Sequence, residues 1–247
     1  MDSNQKTPSL RICPNDVSAC AMVVGDPNRA ASAAALLKEV REIGYFREYR
    51  TFTGLYKGKR ITISSHGVGA SGANVCFHEL FQCGVKTIIR AGTCGAMQPG
   101  ISDGDLIIGT GAIREDGTSE HLAPMSLPAI ADRHIVAALE QTCHEYGIPN
   151  PCTGLILTQA YFYPGLLPNE TNVWLPTGLA AAVEMEYAPL LIMASLQKVR
   201  AGGIFTSDGN LSSEPDPHDY NPHRQVVEEG KLKMIQITLD ALVKLSD

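Results

Sequence analysis

A cation and a hydroxyl stand where an apolar run meets glycine-rich sequence in Thr87–Gly95, which reads Thr-Ile-Ile-Arg-Ala-Gly-Thr-Cys-Gly. The pattern predicts a buried strand that ends near Arg90, followed by a tight turn with glycines at 92 and 95. An arginine is costly to bury unless an anion meets its guanidinium group, and Thr93 adds a hydroxyl donor. Two interpretations are open for this stretch: an anion-binding site, or an arginine held in a structural salt bridge.

A second candidate anion site lies where the apolar run Ala21–Val24 meets the turn sequence Gly25-Asp26-Pro27-Asn28-Arg29. The alanine-rich stretch Ala30–Val40 follows and predicts a helix. Backbone N–H groups at a helix N-terminus lack partners and favour an anion. Arg29, at the start of this helix, opposes the helix dipole unless an anion is also bound. The mismatch favours a ligand over a purely structural turn.

Acidic residues also enter segments that are predicted to be buried. Glu184 and Glu186 alternate with apolar residues in Val183-Glu184-Met185-Glu186, so a strand would place both carboxylates on one face. Glutamates in such a segment indicate a polar ligand, for example vicinal hydroxyls. Asp208 follows a short strand predicted at Gly203–Thr206 and is a further candidate for the same site.

Aromatic residues cluster in Tyr161-Phe162-Tyr163-Pro164, just beyond a strand predicted at Cys152–Thr158. Two interpretations are open for this cluster: core packing, or a platform that stacks against a flat ring. The histidines have no sequence partners that indicate chemistry. We expect His66 and His78 to be hydrogen-bonded structural residues.

The composition fits a globular chain of 247 residues, with 44% hydrophobic and 19% charged residues. A net charge of −6 argues against nucleic acid or an anionic membrane as the main partner. The seven cysteines form no Cys-x-x-Cys, which is typical of free thiols in a reducing cytosol. No His/Cys cluster has metal-ligand spacing. The sequence has no hydrophobic signal core and no apolar run that would span a bilayer, so we expect a cytoplasmic protein.

Predicted strands and helices alternate along the chain, which is typical of an α/β protein. We expect one domain over residues 1–247, with a polar N-terminal arm at 1–19 and a mobile loop at 210–224. A further loop is predicted at Arg114–Pro128. The other predicted elements are strands at Thr51–Tyr56, Arg60–Ser65 and Asp105–Ile108, helices at Ser71–Gln82, Ile135–Tyr146 and Leu190–Leu196, and a C-terminal helix with an apolar stripe at Leu232, Ile235, Leu239 and Leu242.

Five motifs in order carry a resemblance to a known family, over nearly the whole chain. They resemble the nucleoside phosphorylase-I family, in its hexameric purine nucleoside phosphorylase and uridine phosphorylase branch. Tyr45-Phe46-Arg47-Glu48-Tyr49 and the central stretch are most similar to the apicomplexan purine enzymes. The resemblance implies a single-domain, three-layer α/β/α fold around a central mixed, partly barrel-like sheet. The motifs are Gly25-Asp26-Pro27-Asn28-Arg29, Ser65-His66-Gly67-Val68-Gly69, Ile89-Arg90-Ala91-Gly92-Thr93-Cys94-Gly95, Val183-Glu184-Met185-Glu186 and Ser207-Asp208-Gly209.

The resemblance implies phosphorolysis, in which a nucleoside and phosphate give a free base and ribose 1-phosphate without a metal or other cofactor. Arg47 matches an arginine that reaches into a neighbouring subunit's site, within a homohexamer built as a trimer of dimers. Three arginines can hold the anion that attacks the sugar C1′. The positions that match phosphate-binding residues within one chain are Gly25, Arg29, Arg90 and Thr93.

The same resemblance implies roles at the nucleoside end of the site. Asp208 matches the general acid that protonates purine N7, where negative charge develops as the glycosidic bond breaks. Glu186 matches the carboxylate that binds the ribose hydroxyls, with Met185 packed beneath the sugar. The further nucleoside contacts that it implies are Phe162, Val183, Glu184 and Ser207.

The sequence departs from the family pattern at two places that bear on specificity. Ser9 stands where related purine enzymes carry a histidine that reaches towards the ribose 5′-hydroxyl across a subunit interface. The loop after Asp208 lacks the tryptophan of related enzymes. The preferred purine nucleoside and the acceptance of 5′-modified nucleosides are therefore open.

Other activities of the family fit the sequence less well. Uridine phosphorylases read uracil with a Gln-x-Arg element where this chain has Gly165-Leu166-Leu167-Pro168, and they generally lack the acid at the position of Asp208. Nucleosidases use water and lack the arginine set. The alternatives that stay open are a uridine phosphorylase and a non-catalytic nucleoside-binding protein.

Overall fold

The computed structural model describes residues 4–163, 165–167, 169–213 and 220–246. Over those ranges the chain forms ten strands and seven helices. The strands are β1 (Cys20–Val24), β2 (Lys38–Phe46), β3 (Tyr49–Tyr56), β4 (Lys59–Ser65), β5 (Thr87–Ala96), β6 (Leu106–Glu115), β7 (Ala129–Ile130), β8 (Cys152–Gln159), β9 (Ala180–Glu184) and β10 (Arg200–Asn210). The helices are α1 (Pro27–Ala34), α2 (Ala70–Gln82), α3 (Ser119–Leu122), α4 (Arg133–Glu145), α5 (Glu170–Trp174), α6 (Tyr187–Gln197) and α7 (Gln225–Leu245).

The strands form one mixed sheet in the order β10-β6-β8-β9-β5-β1-β4-β3-β2, with β7 added to β6. β10 also pairs with β5, so β5, β9, β8, β6 and β10 close into a ring. β5 runs parallel to β1 and β10 and antiparallel to β9. The other strands extend from the ring as an open sheet. The arrangement confirms the predicted mixed, partly barrel-like sheet.

Helices cover both faces of the sheet, which confirms the three-layer α/β/α arrangement. α2 and α6 contribute to one apolar core, and α1, α4 and α7 contribute to a second. The alternating residues of β1 divide between the two cores: Ala21 and Val23 belong to the first, Met22 and Val24 to the second. All five residues of β1 are buried, which explains why its sequence is continuously apolar.

The N-terminal segment packs on the domain. Leu10 and Ile12 are fully buried. The buried carboxylate of Glu79 in α2 accepts hydrogen bonds from the backbone N–H groups of Leu10 at 2.7 Å and Ser9 at 2.9 Å. The predicted arm at 1–19 is therefore docked over residues 4–19, whereas residues 1–3 lie outside the described part of the chain.

The tight turn predicted within Thr87–Gly95 is wrong. β5 continues to Ala96, because it stays paired with β10 as far as the Ala96–Asn210 pair. Gly92 instead leaves room for its neighbour: a Cβ there would lie 2.9 Å from Cζ of Arg90. The guanidinium group can fold back along its own strand only because residue 92 has no side chain.

The helix predicted at Ala30–Val40 is too long. α1 ends at Ala34, and β2 begins at Lys38, which pairs with Leu55 of β3. Strand pairing overrides helix propensity in the second half of this stretch. In α7, the predicted apolar stripe is buried except at Leu232, which is 56% exposed.

The two predicted loops differ from expectation in different ways. Arg114–Pro128 begins inside β6 and contains α3. Arg114 is buried and donates to the carbonyls of Ser119, Ala123 and Leu127, so its side chain organises this segment. The predicted mobile loop at 210–224 begins at the end of β10, and its residues 214–219 lie outside the described part of the chain.

Candidate active site

A cavity of about 1170 Å³ opens where β1, β5, β8, β9 and β10 end. β1, β5 and β10 are parallel, so their carboxyl ends bring side chains from distant parts of the sequence to one edge of the sheet. Two of the predicted site residues, Arg47 and Ser207, do not line the cavity. Those that do are Gly25, Arg29, Arg90, Thr93, Phe162, Val183, Glu184, Met185, Glu186 and Asp208.

The guanidinium group of Arg90 is buried and bonded to both glutamates of the site. Its Nε donates to Oε2 of Glu184 at 3.0 Å, and its Nη2 donates to Oε2 of Glu186 at 2.5 Å. Although burial opposes it, the attraction of the Glu186 and Glu184 carboxylates raises the pKa of Arg90. The structure therefore confirms that Arg90 makes buried salt bridges. One N–H of Nη1 remains without an acceptor among the described residues.

The two carboxylates have different surroundings. Glu184 accepts from the Thr158 hydroxyl at 2.7 Å and from the backbone N–H groups of residues 186 and 187, which saturate it with donors. Glu186 accepts from the backbone N–H of Gly69 at 2.6 Å. Gly69 precedes α2 with φ of 95°, a left-handed conformation that glycine adopts without strain. Burial raises the pKa of Glu186; the charge of Arg90 opposes that rise, and the like charge of Glu184 adds to it. Glu186 lines the cavity, and its carboxylate keeps lone pairs that accept no hydrogen bond from the described residues.

His66 is hydrogen-bonded to the guanidinium group of Arg90. Its Nδ1 lies 2.8 Å from the carbonyl oxygen of Gly67, and its Nε2 lies 2.8 Å from Nη1 of Arg90. Complete burial and the charge of Arg90 hold the pKa of His66 well below its usual range, so the ring is neutral. The prediction that His66 is a hydrogen-bonded structural residue is confirmed, whereas the same prediction for His78 is wrong, because His78 is exposed on α2 and its ring makes no hydrogen bond among the described residues. The place of His66 beneath Arg90 was not predicted, because a lone histidine gives no sequence signal for such a contact.

Arg29 is the unpaired cation of the cavity. It is the third residue of α1, in the first turn after the N-cap Asp26, and its guanidinium has no hydrogen-bond partner among the described residues. Burial lowers the pKa of Arg29, and the nearby charge of Arg90 lowers it further, whereas Asp26 and Asp208 oppose the change. Two arginines thus face the same cavity beside a helix N-terminus, an arrangement that attracts an anion.

Asp208 is buried at a bulge of β10. The register between β10 and β5 shifts between Ser207 and Gly209, so Asp208 is the extra residue. Burial raises the pKa of Asp208 to about 6, although hydrogen bonding with the hydroxyls of Tyr220 and Thr93 and the charge of Lys231 oppose the rise. A carboxyl group with such a pKa is able to donate a proton near neutral pH.

Aromatic and aliphatic side chains form one part of the cavity wall. The ring of Phe162 lies 6.0 Å from that of Tyr220, and Val183 and Leu211 also line the cavity. Tyr220 was not predicted, because its segment contains no motif. Nothing in the local sequence indicates that it contacts Asp208. Leu166, in the stretch where uridine phosphorylases carry their Gln-x-Arg residues, is fully exposed.

Arg47 and Ser207 lie outside the cavity of their own chain. Arg47 is exposed between β2 and β3, with φ of 55°, and its guanidinium lies 5.6 Å from the ring centroid of Phe46. Ser207 is fully buried, and its hydroxyl donates to the carbonyl of Gly209 at 3.3 Å. Ser207 therefore contacts the bulge that carries Asp208.

The described residues contain neither a cluster of metal ligands nor a membrane-spanning helix. No group of three or more histidine, cysteine, aspartate or glutamate side chains in those ranges is arranged to hold a metal ion. None of the described helices is both long and apolar enough to cross a membrane.

The cavity combines two arginines, a glutamate with free lone pairs and a buried acid. These groups suit a reaction in which a polar substrate and an anion bind side by side and a leaving group takes up a proton. A model of the phosphorylase superfamily matches residues 20–244, and the chain belongs to this family. It is 37% identical to the purine nucleoside phosphorylase of Plasmodium vivax over 91% of each chain. It is 36% identical to the uridine phosphorylase of Thermococcus kodakarensis, over 77% of this chain and 73% of that one.

A solved structure shares both the fold and part of the sequence. The purine nucleoside phosphorylase of Toxoplasma gondii, in complex with immucillin-H, superposes with a TM-score of 0.92. The two chains are 32% identical, and the match covers 99% of this chain and 98% of that one. The family resemblance and the fold predicted from the sequence are thus confirmed.

Proposed function

We propose that this chain is a purine nucleoside phosphorylase, which converts an inosine- or guanosine-like nucleoside and phosphate into a purine base and ribose 1-phosphate in purine salvage. The observation that carries the proposal is Asp208, a buried acid whose pKa rises to about 6 in the cavity that also holds Arg29 and Arg90. Protonation of purine N7 by this acid would stabilise the departing base in the transition state.

The phosphate is proposed to bind beside Arg29. Among the described residues this arginine has no hydrogen-bond partner and one N–H of Arg90 Nη1 has no acceptor, and both arginines line the cavity together with Gly25 and Thr93. The free lone pairs of Glu186 suit the two ribose hydroxyls, with Met185 against the sugar. An attacking anion held between cations and a sugar held by a fixed carboxylate supply the orientation that the displacement needs.

A neighbouring copy of the chain is proposed to complete the phosphate site, in a cytoplasmic homohexamer. The charges of Arg29 and Arg90 only balance those of Glu184 and Glu186, so a bound phosphate would leave the site negative. Arg47 is exposed next to the apolar side chains of Tyr45 and Phe46 on the edge strand β2. These features suit an interface that delivers Arg47 to a neighbouring site. The seven cysteines are all free thiols, which fits a reducing compartment.

A uridine phosphorylase is the second candidate, because one relative with that name is 36% identical. The exposed Leu166 and Leu167 stand where the family's uracil-reading residues are expected, and the acid at Asp208 favours a purine. A test is the release of base from inosine, and separately from uridine, with and without phosphate. Hypoxanthine released only with phosphate supports the proposal. Uridine cleavage alone supports the second candidate, phosphate-independent release indicates a nucleosidase, and binding without turnover indicates a nucleoside-binding protein.

A further inference from the structure

Three polar residues line the cavity beside Phe162 and take no part in the chemistry described so far. Gln159 is the last residue of β8, Asn169 is the N-cap of α5, and Thr171 lies in the first turn of α5. Gln159 is 6% exposed and Thr171 is 3% exposed. Polar groups buried to this degree normally have all their hydrogen bonds.

Thr171 holds the oxygen atom of each amide. Its backbone N–H donates to Oδ1 of Asn169 at 2.8 Å, and its hydroxyl donates to Oε1 of Gln159 at 2.8 Å. A backbone N–H can only donate, so the amide orientation of Asn169 follows from this contact. The amide nitrogens of Asn169 and Gln159 have no acceptor among the described residues. Both residues line the cavity, so each has a side-chain NH₂ group available to donate hydrogen bonds to a ligand there.

We propose that Gln159, Asn169 and Thr171 form a base-reading element that selects a base with an oxo group and disfavours a base with an amino group. This proposal rests on the proposed function. A carbonyl oxygen accepts hydrogen bonds from the amide nitrogens, whereas an exocyclic amino group presents N–H towards N–H and leaves both unpaired. In a 6-oxopurine, O6 lies on the same edge as N7, the atom that Asp208 is proposed to protonate. In adenine that position carries an amino group.

Thr171 is the positioning residue of the element. Without its hydroxyl, the amide of Gln159 is free to rotate and to present its oxygen to the cavity, where it would accept from an amino group. The selectivity between oxo and amino bases then depends on the hydrogen bond between Thr171 and Gln159, although Thr171 itself contacts neither base. A residue with a merely structural role would affect both bases equally.

The test is calorimetric titration of the protein with hypoxanthine and with adenine, which needs no turnover. We expect hypoxanthine to bind at least about tenfold more tightly, the discrimination typical of a buried donor that loses its partner. Gln159→Leu removes one of the two donors and should lower the ratio of hypoxanthine affinity to adenine affinity. Gln159→Glu, which offers an acceptor in place of the amide nitrogen, should favour adenine. Gln141→Leu, on the exposed face of α4, is the matched control and should leave the ratio unchanged.

Thr171→Val keeps the size of the side chain and should lower the ratio, and Thr171→Ser should restore it. Circular dichroism melting identifies any variant that fails to fold, and the Thr171 pair then decides the outcome. Equal affinities in the unmodified protein, or a ratio that none of these substitutions changes, would overturn the inference. Phosphate-dependent cleavage of inosine is measured separately, so a failure of base selection remains distinct from a failure of the proposed activity.

Discussion

The Nη1 atom of Arg90 lies 2.8 Å from the Nε2 atom of His66, and both side chains are buried. An arginine N–H only donates, so Nε2 must be unprotonated, and the proton on Nδ1 points to the carbonyl oxygen of Gly67. A protonated ring would place two cations together and leave Arg90 without this acceptor. The neutral histidine therefore fixes the direction in which the guanidinium presents its remaining N–H.

His66→Phe should lower the free energy of unfolding by about 1–3 kcal/mol, because it leaves a buried N–H of Arg90 without an acceptor. It should also raise the KM for phosphate, since the guanidinium is less well oriented. Urea unfolding and steady-state kinetics measure the two effects. His78→Phe, at an exposed position of the same region of the chain, is the control and should change neither quantity. Equal effects of the two substitutions would contradict the role of His66.

Arg29→Ala and Arg90→Ala should both impair phosphate use but differ in stability. Arg90→Ala leaves the buried carboxylates of Glu184 and Glu186 uncompensated and should cost about 3–5 kcal/mol of unfolding free energy. Arg29 makes no hydrogen bond or salt bridge among the described residues, and the repulsion from Arg90 opposes its attraction to Asp26 and Asp208, so its removal should change stability far less. Phosphate binding by calorimetry and thermal unfolding together check both parts. If both variants lose stability equally, Arg29 is not the unpaired cation of the site.

The strands and helices followed from the sequence wherever apolar periodicity alone decides the structure. α2 and α4 are of this kind, since each buries one face whose pattern is visible locally, and β1 is visible as a short, continuously apolar run. Gly92 misled the prediction, because a glycine that makes room for the side chain of Arg90 has the same sequence appearance as a glycine in a turn. Long-range pairing, here between β5 and β10, has no local signal.

Site residues that belong to a local sequence motif were predicted, and those that depend on long-range packing were not. Arg90 and Asp208 belong to motifs and were predicted, whereas the bulge that exposes Asp208 depends on the register of two strands far apart in sequence. Tyr220, Gln159 and Asn169 line the same cavity although they come from separate segments of the chain. Contacts of that kind follow from the packing of the whole chain and not from any one segment.

Asp208→Asn should stabilise the folded protein at neutral pH. The folded-state pKa of about 6 lies above the ordinary value of 3.8, so the folded state binds more protons between these values. The contribution of Asp208 to the free energy of unfolding is therefore fully present below pH 4 and is lost as the pH rises through 6. The loss is about 3 kcal/mol at most. The variant should abolish this slope and gain about 1–3 kcal/mol at pH 7, while kcat falls about 10²–10⁴-fold. Urea unfolding at several pH values measures the slope, and an unchanged slope would show that Asp208 does not titrate near pH 6.

Tyr220→Phe should move the pH dependence of catalysis to higher pH. If Asp208 acts as the acid, kcat/KM for inosine falls as the pH rises above about 6, because the proton is lost. The hydroxyl of Tyr220 donates to the charged carboxylate and opposes the rise of the Asp208 pKa, so its removal raises that pKa further. The descending limb of the pH–rate profile should shift upwards in the variant. Tyr163→Phe, which alters a more exposed hydroxyl of the aromatic cluster, should leave the limb in place. A descending limb that shifts to lower pH, or that shifts equally in both variants, would show that Tyr220 does not lower the pKa of Asp208.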